Sequence, residues 1–135
     1  MFQLSKRVEY GLIALRHMAA SSRGSIHTTK DIAVKYHLPY DLLAKIMQKL
    51  AKKRFIVSHQ GTHGGYTLNC DPSAVTISLI IDAIEGTPSV KIIQCEAQTP
   101  ENCIIHSTCT IKDPLVKLQD NINSVLAHLT VTQLI

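Results

Sequence analysis

Residues 28–53 read TTKDIAVKYHLPYDLLAKIMQKLAKK. Thr28 or Thr29 can cap a short helix, residues 37–39 form a turn, and a second helix runs from Pro39 to about Lys53. The apolar positions of the second helix recur at helical spacing and face inward: Leu42, Leu43, Ile46, Met47 and Leu50. Its outward positions are mainly basic: Lys45, Gln48, Lys49, Lys52 and Lys53. A short helix, a tight turn and a second helix with a basic exposed face form the helix-turn-helix pattern.

A β-hairpin is predicted directly after the helix pair. Residues 55–58 are strand-like, glycines follow at positions 61, 64 and 65, and residues 66–68 form a second short strand. Glycine permits positive φ and lets the backbone approach a phosphate closely. A nucleotide-binding loop is a poorer interpretation because the stretch lacks both the GKS or GKT motif and the GxGxxG motif. The pattern indicates the wing of a winged helix.

Further helices flank this unit. Ser5 can cap a helix that runs to about Ala20, and Thr76 can cap another from residue 77 to about 85, ended by Gly86. Asp113 and Pro114 start a last helix with apolar residues at spacings of three and four: Leu115, Leu118, Ile122, Val125 and Leu129. This seam either covers the core or pairs with a second copy of the chain. We favour a homodimer, because two-fold dimers match palindromic half-sites in DNA.

The predicted fold is mostly α with a small β-hairpin wing, a winged helix-turn-helix plus a long C-terminal dimerisation helix. Residues 1–86 form the winged-helix DNA-binding domain, residues 87–112 an irregular cysteine-containing loop, and residues 113–135 the dimerisation helix.

The charge is divided between the two halves of the chain. Residues 1–70 hold eleven Lys and Arg against three Asp and Glu, whereas residues 71–135 hold three against seven. A basic half fits phosphate binding, although an uneven solvated surface has the same composition. Tyr40, Asp41 and Lys45 begin the second helix of the pair and are the candidates for base contacts. Lys49, Lys52 and Lys53 are the candidates for phosphate contacts.

No apolar run in the sequence approaches the length of about 20 residues that a membrane span requires. The N-terminal residues mix charges into an amphipathic pattern and lack the order of a signal peptide. We therefore expect a cytoplasmic protein without membrane contact. Its cysteines should be reduced there, which favours metal binding or redox sensing over structural disulfides.

Three cysteines lie close together in the predicted loop, Cys95, Cys103 and Cys109. Soft thiolates favour iron, and three thiolates from one loop leave one iron site open for another ligand. The alternative interpretation is three buried or incidental cysteines.

The sequence resembles the IscR/NsrR/RirA-type (Rrf-two-type) family of bacterial winged-helix regulators over about residues 2–134. The matching blocks are LSK at 4–6, YGL at 10–12, DIA at 31–33, LP at 38–39, SHQGTHGGYTL at 58–68 and IIDAIEG at 80–86, followed by the three cysteines. The resemblance implies a dimeric regulator whose DNA affinity is set by an iron–sulfur cluster on Cys95, Cys103 and Cys109. It favours a 4Fe–4S cluster over a 2Fe–2S cluster, and it implies that the helix from Asp113 forms the dimer.

The resemblance also proposes the fourth cluster ligand. Glu9, just before the YGL block, matches the carboxylate that some members supply from the first helix of the partner subunit. Other members use a histidine at the position of Lys112, which cannot coordinate as an ammonium, and His106 is the alternative here. The family commonly has arginine before the first wing glycine, where this chain has Gln60. With His63, Gln60 gives a less charged wing tip for DNA contact.

The sequence therefore predicts a DNA-binding transcriptional regulator, a repressor or an activator, rather than an enzyme. Cluster binding or loss would control its affinity for a double-stranded DNA operator. The alternative is a winged-helix regulator without a cluster, in which the cysteines act as a thiol redox switch or bind zinc. Iron supply, nitric oxide, oxygen and redox state remain open as the signal.

Overall fold

The computed structural model describes residues 4–87 and 111–134 of the 135-residue chain. In these ranges the elements are, in order, α1 (Lys6–Ala20), α2 (Thr29–Tyr36), α3 (Tyr40–Lys52), β1 (Ile56–His59), β2 (Gly65–Leu68), α4 (Ile77–Glu85), α5 (Lys112–His128) and a 3₁₀ helix (Val131–Leu134). The predicted fold class is confirmed, since helices predominate and the two strands form one antiparallel hairpin. None of the helices in these two ranges has the length and apolar composition needed to cross a membrane.

Side-chain caps begin three of the helices where the sequence predicts them. The hydroxyl oxygens of Ser5, Thr28 and Thr76 accept hydrogen bonds from the backbone amides of Val8 (3.3 Å), Asp31 (3.0 Å) and Leu79 (3.3 Å). Each bond satisfies an amide that has no partner within its own helix. The N-terminal ends of α1, α2 and α4 are therefore set by local sequence.

Helix α5 begins two residues earlier than predicted, since the prediction makes Asp113 the N-cap and Pro114 the first helical residue. Its N-cap is Ile111, which makes no side-chain capping bond, and Asp113 lies inside the first turn. A carboxylate is favourable in the first turn because the amides there are unpaired, and Pro114 is tolerated there for the same reason. Asp113 and Pro114, from which the helix start is predicted, thus both lie in the first turn, where they are favourable or tolerated.

The core is built around α1. This helix packs against α3, α4, β2 and the 3₁₀ helix. The largest fully buried side chains are Leu15, Ile32, Leu43, Ile46, Met47, Leu50, Ile56, Ile77, Ile80, Ile84 and Val8. Burial of each such side chain contributes about 1.5–3 kcal/mol, so this cluster is the main source of stability.

The hairpin is tied to the segment that precedes α2. Its register pairs Ile56 with Leu68 and His59 with Gly65. His27 and Tyr66 exchange two backbone hydrogen bonds of 2.8 and 2.7 Å, which form an isolated antiparallel bridge beside β2. A Cβ at residue 65 would lie 2.7 Å from the carbonyl oxygen of His27, so this close approach requires glycine. The wing therefore has a fixed position relative to the helix-turn-helix.

The chain returns to the core after α5. Thr76 and Thr130 form an isolated antiparallel bridge, and the Val131 amide donates to the Val75 carbonyl at 2.9 Å. Val131 is buried in the main core. The segment 113–135, predicted as a dimerisation helix, thus comprises a helix that ends at His128 and a tail that packs on the winged-helix unit.

The contact between α1 and α4 generates a stability prediction. A Cβ at Gly11 would lie 2.5 Å from Ile84 Cδ1 and 3.4 Å from Ile46 Cγ2. Gly11→Ala should therefore lower the free energy of unfolding by about 1–2 kcal/mol, despite a gain of about 1 kcal/mol in helix propensity. Ile84→Val removes the clashing Cδ1 and should cost less in the Gly11→Ala background than in the wild type. Urea unfolding of the four proteins measures this coupling, and strictly additive changes would contradict the close approach.

Candidate nucleic-acid interface

One exposed stripe lies on α3 directly opposite its buried face. Leu43, Ile46, Met47 and Leu50 are buried. At 100° per residue, the positions centred on the opposite side are Asp41, Lys45, Gln48 and Lys52, and all four are exposed. Three of these residues belong to the predicted DNA-contacting set. Gln48 was not assigned a role, although its spacing of three from Lys45 and four from Lys52 places it on the same stripe.

Tyr40 lies at the edge of α3 that faces α2. It is the first residue of α3 and is 54 % exposed. Together with Lys30, Val34 and Leu38 it lines a shallow, mostly apolar groove of about 450 Å³ between the two helices. The first turn of a second helix in this motif approaches base edges, so Tyr40 offers an aromatic surface beside the polar stripe.

Lys49 lies at the other edge of the exposed stripe. Its Nζ donates a hydrogen bond of 2.9 Å to the carbonyl oxygen of Ile84, in the last turn of α4. An ammonium at the C-terminal end of a helix satisfies a carbonyl that has no partner in the helix. Lys49 is therefore engaged within the chain, which distinguishes it from Lys45 and Lys52.

The wing tip consists of residues 60–64 between β1 and β2. Gln60 and His63 are both exposed there, and the tip has no lysine or arginine. The Gly64 amide donates to the Gly61 carbonyl at 3.0 Å, and a Cβ at residue 64 would lie 2.4 Å from the His59 carbonyl oxygen. His59 Nε2 and Thr67 Oγ1 lie 2.9 Å apart across the strands. The tip is a tight turn without lysine or arginine.

The positive charge of the helix-turn-helix is not neutralised by nearby carboxylates. Between residues that the structure describes, the one side-chain ion pair joins Lys6 and Glu9 in α1. The lysines and arginines of the helix pair and of the turn after it are exposed: Lys30, Lys35, Lys45, Lys52, Lys53 and Arg54. A surface with unpaired cations of one sign attracts phosphate.

A histidine pair lies behind this surface and connects three elements. His17 Nδ1 of α1 lies 2.8 Å from the Tyr36 hydroxyl of α2, and the rings of His17 and His27 meet edge to face at 5.0 Å. Burial, and then the charges of His27 and Lys35, lower the pKa of His17. Burial also lowers the pKa of His27, against the opposing effect of Asp31. The pair is therefore neutral at pH 7, and the positive surface consists of lysine and arginine.

Of the predicted cluster ligands, the structure places Glu9. Cys95, Cys103, Cys109 and the alternative ligand His106 lie outside the described residues. Glu9 is in the first turn of α1, its side chain is 44 % exposed, and its Oε2 accepts from Lys6 Nζ at 3.2 Å. Within residues 4–87 and 111–134, no group of three or more His, Cys, Asp or Glu side chains is arranged to hold a metal ion.

The start of α1 lies beside the end of α4. The Ser5 hydroxyl, which caps α1, also donates to the Glu85 carboxylate in the last turn of α4. The chain leaves α4 at Gly86 and continues toward the three cysteines. Glu9, one turn into α1, is therefore at the end of the molecule from which the cysteine segment departs.

Cys70, the remaining cysteine, follows the wing. Its side chain is partly buried against the core. Burial, followed by the charge of Asp71, raises the pKa of its thiol. A thiol with a raised pKa is a poor nucleophile and a poor metal ligand at neutral pH. The structure thus gives Cys70 a packing role.

The predicted seam of α5 is divided between core and solvent. Leu129 packs against the core, as does its neighbour Leu126. Leu118 and Val125 are 48 % and 63 % exposed, and Ile111, one turn before Leu115, is also exposed. Ile111, Leu118 and Val125, at intervals of seven residues, thus form an exposed apolar stripe.

Comparison with known proteins agrees with this architecture. Residues 4–135 match the family described as Rrf2, Iron-dependent Transcriptional regulator. The HTH-type transcriptional regulator NsrR of Shouchella clausii is 25 % identical over 133 residues, which cover 98 % of this chain and 88 % of that protein. NsrR of Oceanobacillus iheyensis is 27 % identical over 132 residues, again covering 98 % and 88 %.

Solved structures show the same fold. CymR of B. subtilis, the global cysteine regulator, superimposes with a TM-score of 0.76 at 25 % identity, covering 99 % of this chain and 96 % of CymR. IscR of T. potens gives a TM-score of 0.74 at 22 % identity, with coverage of 98 % and 85 %. This fold, the unpaired basic stripe on α3 and the family match over residues 4–135 lead to one conclusion. The chain belongs to the Rrf2 family and is a DNA-binding transcriptional regulator rather than an enzyme.

Proposed function

We propose that this chain is a dimeric, cytoplasmic regulator whose operator affinity is controlled by an iron–sulfur cluster on Cys95, Cys103 and Cys109. The observation that carries the proposal is that α4 is connected both to α3 and to the cysteine segment. The last turn of α4 is hydrogen-bonded to α3 through Lys49 and leads directly into the segment that contains the three cysteines.

The stripe on α3 supplies the contacts to DNA. Lys45 and Gln48 lie near the middle of the stripe, where side chains reach base edges: lysine pairs with guanine and glutamine with adenine. Asp41 can accept from the amino group of cytosine, and Tyr40 offers an apolar surface to a thymine methyl. Lys52, at the end of α3, contacts phosphate. Gln60 and His63 approach the minor groove without the positive charge that a narrow groove favours, so the wing contributes little electrostatic affinity.

Two copies of the chain pair through α5. Leu118 and Val125 leave an apolar stripe in solvent that a second copy would cover. The tail after α5 is joined by backbone hydrogen bonds to Val75 and Ile77, at the start of α4. A dimer held by α5 therefore fixes the distance between two copies of α3, which is the requirement for recognising two half-sites.

The cysteines fit an iron–sulfur cluster by their donor chemistry, because thiolates are the ligands that hold such clusters in proteins. A bound cluster supplies a centre that responds to oxidants, to iron supply or to small gaseous ligands, and 4Fe–4S is favoured over 2Fe–2S. Glu9 is the proposed fourth ligand, supplied by the partner subunit. In the chain shown, Glu9 is paired with Lys6, so coordination would replace an exposed ion pair worth less than about 1 kcal/mol.

Two hydrogen bonds connect the last turn of α4, which precedes the cysteine segment in the chain, to α1 and to α3. Ser5 joins the end of α4 to α1, and Lys49 joins it to α3. A displacement of the last turn of α4 alters both contacts, and with them the orientation of α3. We therefore assign Lys49 to positioning α3, and we assign phosphate contact to Lys52.

A second candidate function is a thiol switch without a cluster. It is favoured by the likeness to CymR of B. subtilis, which is described as the global cysteine regulator. An oxidised form of CymR from Staphylococcus aureus has the same fold, with a TM-score of 0.75 at 23 % identity. In this alternative, Cys95, Cys103 and Cys109 form disulfides or bind zinc, and the rest of the proposal is unchanged.

Substitutions on α3 test the DNA-contacting stripe. Lys52→Gln should weaken binding about equally on all duplexes and reduce the slope of log affinity against log salt by about 1, because one phosphate contact is lost. Gln48→Ala should instead cost about 1–3 kcal/mol on the preferred duplex only, because base contacts carry the sequence preference. Fluorescence anisotropy on a selected and a random duplex measures both effects. Lys117→Gln on α5 is the control, and equal effects of all three changes would refute the assignment.

Purification under anaerobic conditions tests the cysteines. The wild-type protein should be coloured and contain iron and sulfide, and Cys95→Ala, Cys103→Ala or Cys109→Ala should each remove the colour while leaving the far-ultraviolet circular dichroism unchanged. Cys70→Ala should stay coloured, because that thiol packs against the core. A colourless wild-type protein that contains zinc or free thiols would favour the second candidate function.

The exposed stripe of α5 tests the dimer. Leu118→Asp combined with Val125→Asp should give folded monomers, because both side chains are exposed within one chain and would be buried only between two chains. Sedimentation velocity measures the change, with Ser124→Asp, next to Val125, as the matched control. A double variant that still sediments as a dimer would place the interface elsewhere.

A further inference from the structure

Three described helices end with a residue in left-handed backbone conformation. These residues are His37 after α2 (φ 57°), Arg54 after α3 (φ 65°) and Gly86 after α4 (φ 83°). Glycine is the usual residue at such a helix end because it has no Cβ to clash with the following carbonyl. Helix α4 follows that rule with Gly86. The two helices of the helix-turn-helix do not, because His37 and Arg54 adopt the left-handed conformation although they have side chains.

The backbone around Arg54 holds this conformation without help from its side chain. The Arg54 amide donates to the Ala51 carbonyl at 3.0 Å, and the Phe55 amide donates to the Leu50 carbonyl at 3.1 Å. Together these bonds form a Schellman motif, with Arg54 in the position that favours glycine. Asn69 Nδ2 also donates to the Arg54 carbonyl at 3.0 Å, and the Asn69 amide donates to the Phe55 carbonyl at 2.9 Å. Glycine would satisfy every one of these bonds with less strain.

Arg54 lies in the short connection between α3 and the wing. It follows the last turn of α3 and precedes β1, so it lies between the helix that reads the major groove and the wing. It is exposed and follows two exposed lysines, Lys52 and Lys53. Among the residues that the structure describes, no carboxylate lies within ion-pair distance of Arg54. Its guanidinium is therefore available to a partner outside the chain.

The C-terminal end of a helix attracts cations through its own dipole. This is the competing explanation for the three consecutive basic residues Lys52, Lys53 and Arg54. That attraction falls off within the last turn. Lys49 and Lys52 already lie in that turn. The dipole therefore explains a lysine in α3 better than an arginine beyond its end.

We propose that Arg54 binds a backbone phosphate of operator DNA beside the groove that α3 reads, and that this contact accounts for an arginine where glycine would be more stable. A guanidinium matches a phosphate with two parallel hydrogen bonds, which gives register as well as affinity. The inference rests on the proposed DNA contact by α3 and adds a residue to it.

Arg54→Gly tests the inference because it should change stability and binding in opposite directions. The melting temperature should rise by about 3–5 °C, because the strained backbone conformation is relieved. Affinity for a random-sequence duplex of about 30 base pairs should fall about five- to tenfold at about 0.1 M salt, and the salt slope should decrease by about 1. Differential scanning fluorimetry and fluorescence anisotropy measure the two effects.

Two variants serve as controls. Arg54→Lys keeps the charge and the backbone strain, so it should retain the wild-type melting temperature and salt slope. His37→Gly relieves the other strained helix end without removing a lysine or arginine, so it should raise the melting temperature and leave the salt slope unchanged.

Wild-type affinity and salt slope in Arg54→Gly would overturn the inference, and so would a lower melting temperature, which would make the arginine a structural residue. If Lys52→Gln weakens binding while Arg54→Gly does not, this inference fails and the proposed function stands. A wild-type protein that binds neither the random nor a selected duplex would overturn both.

Discussion

The close packing of α1 against α3 and α4 is the constraint on which the rest of the structure depends. Gly11 allows the approach, because Ile84 of α4 and Ile46 of α3 occupy the space that a side chain at residue 11 would need. The buried faces of all three helices meet at this point, and the outer face of α3 is left in solvent. The exposed stripe that we propose as the DNA contact is thus a direct result of how the core is filled.

The same packing offers a route for the control of DNA binding that we propose for the cysteine segment. The last turn of α4 is joined to α1 through Ser5 and to α3 through Lys49. The backbone pairing of His27 with Tyr66 joins the wing to the helix pair. In the proposed mechanism, a displacement at the end of α4 would therefore be passed to α1 and α3 together. Such coupling is reciprocal. Operator DNA would therefore in turn stabilise the state of the cysteine segment in which the protein binds DNA most tightly.

Local signals in the sequence predict much of this structure. Ser5, Thr76 and Gly86 mark helix ends because each acts on neighbouring amides or carbonyls, and apolar spacing identifies the buried face of α3. Contacts between distant residues leave no such signal: the bond from Lys49 to the Ile84 carbonyl spans 35 residues. The predicted phosphate contact of Lys49 stays a prediction. The turn at Arg54 was not predicted either, because glycine normally marks it. The cluster ligands stay a prediction, since the cysteines lie outside the described residues.

Hydroxyl-radical footprinting of the cluster-loaded protein on a duplex selected by the protein itself tests the central claim most directly. In the proposed dimer, two copies of α3, set at a fixed distance by paired α5 helices, read two adjacent major grooves. This arrangement predicts two protected half-sites related by two-fold symmetry, with centres about 10–10.5 base pairs or a multiple of that apart. Protection of one asymmetric site, or protection that does not depend on sequence, would contradict it.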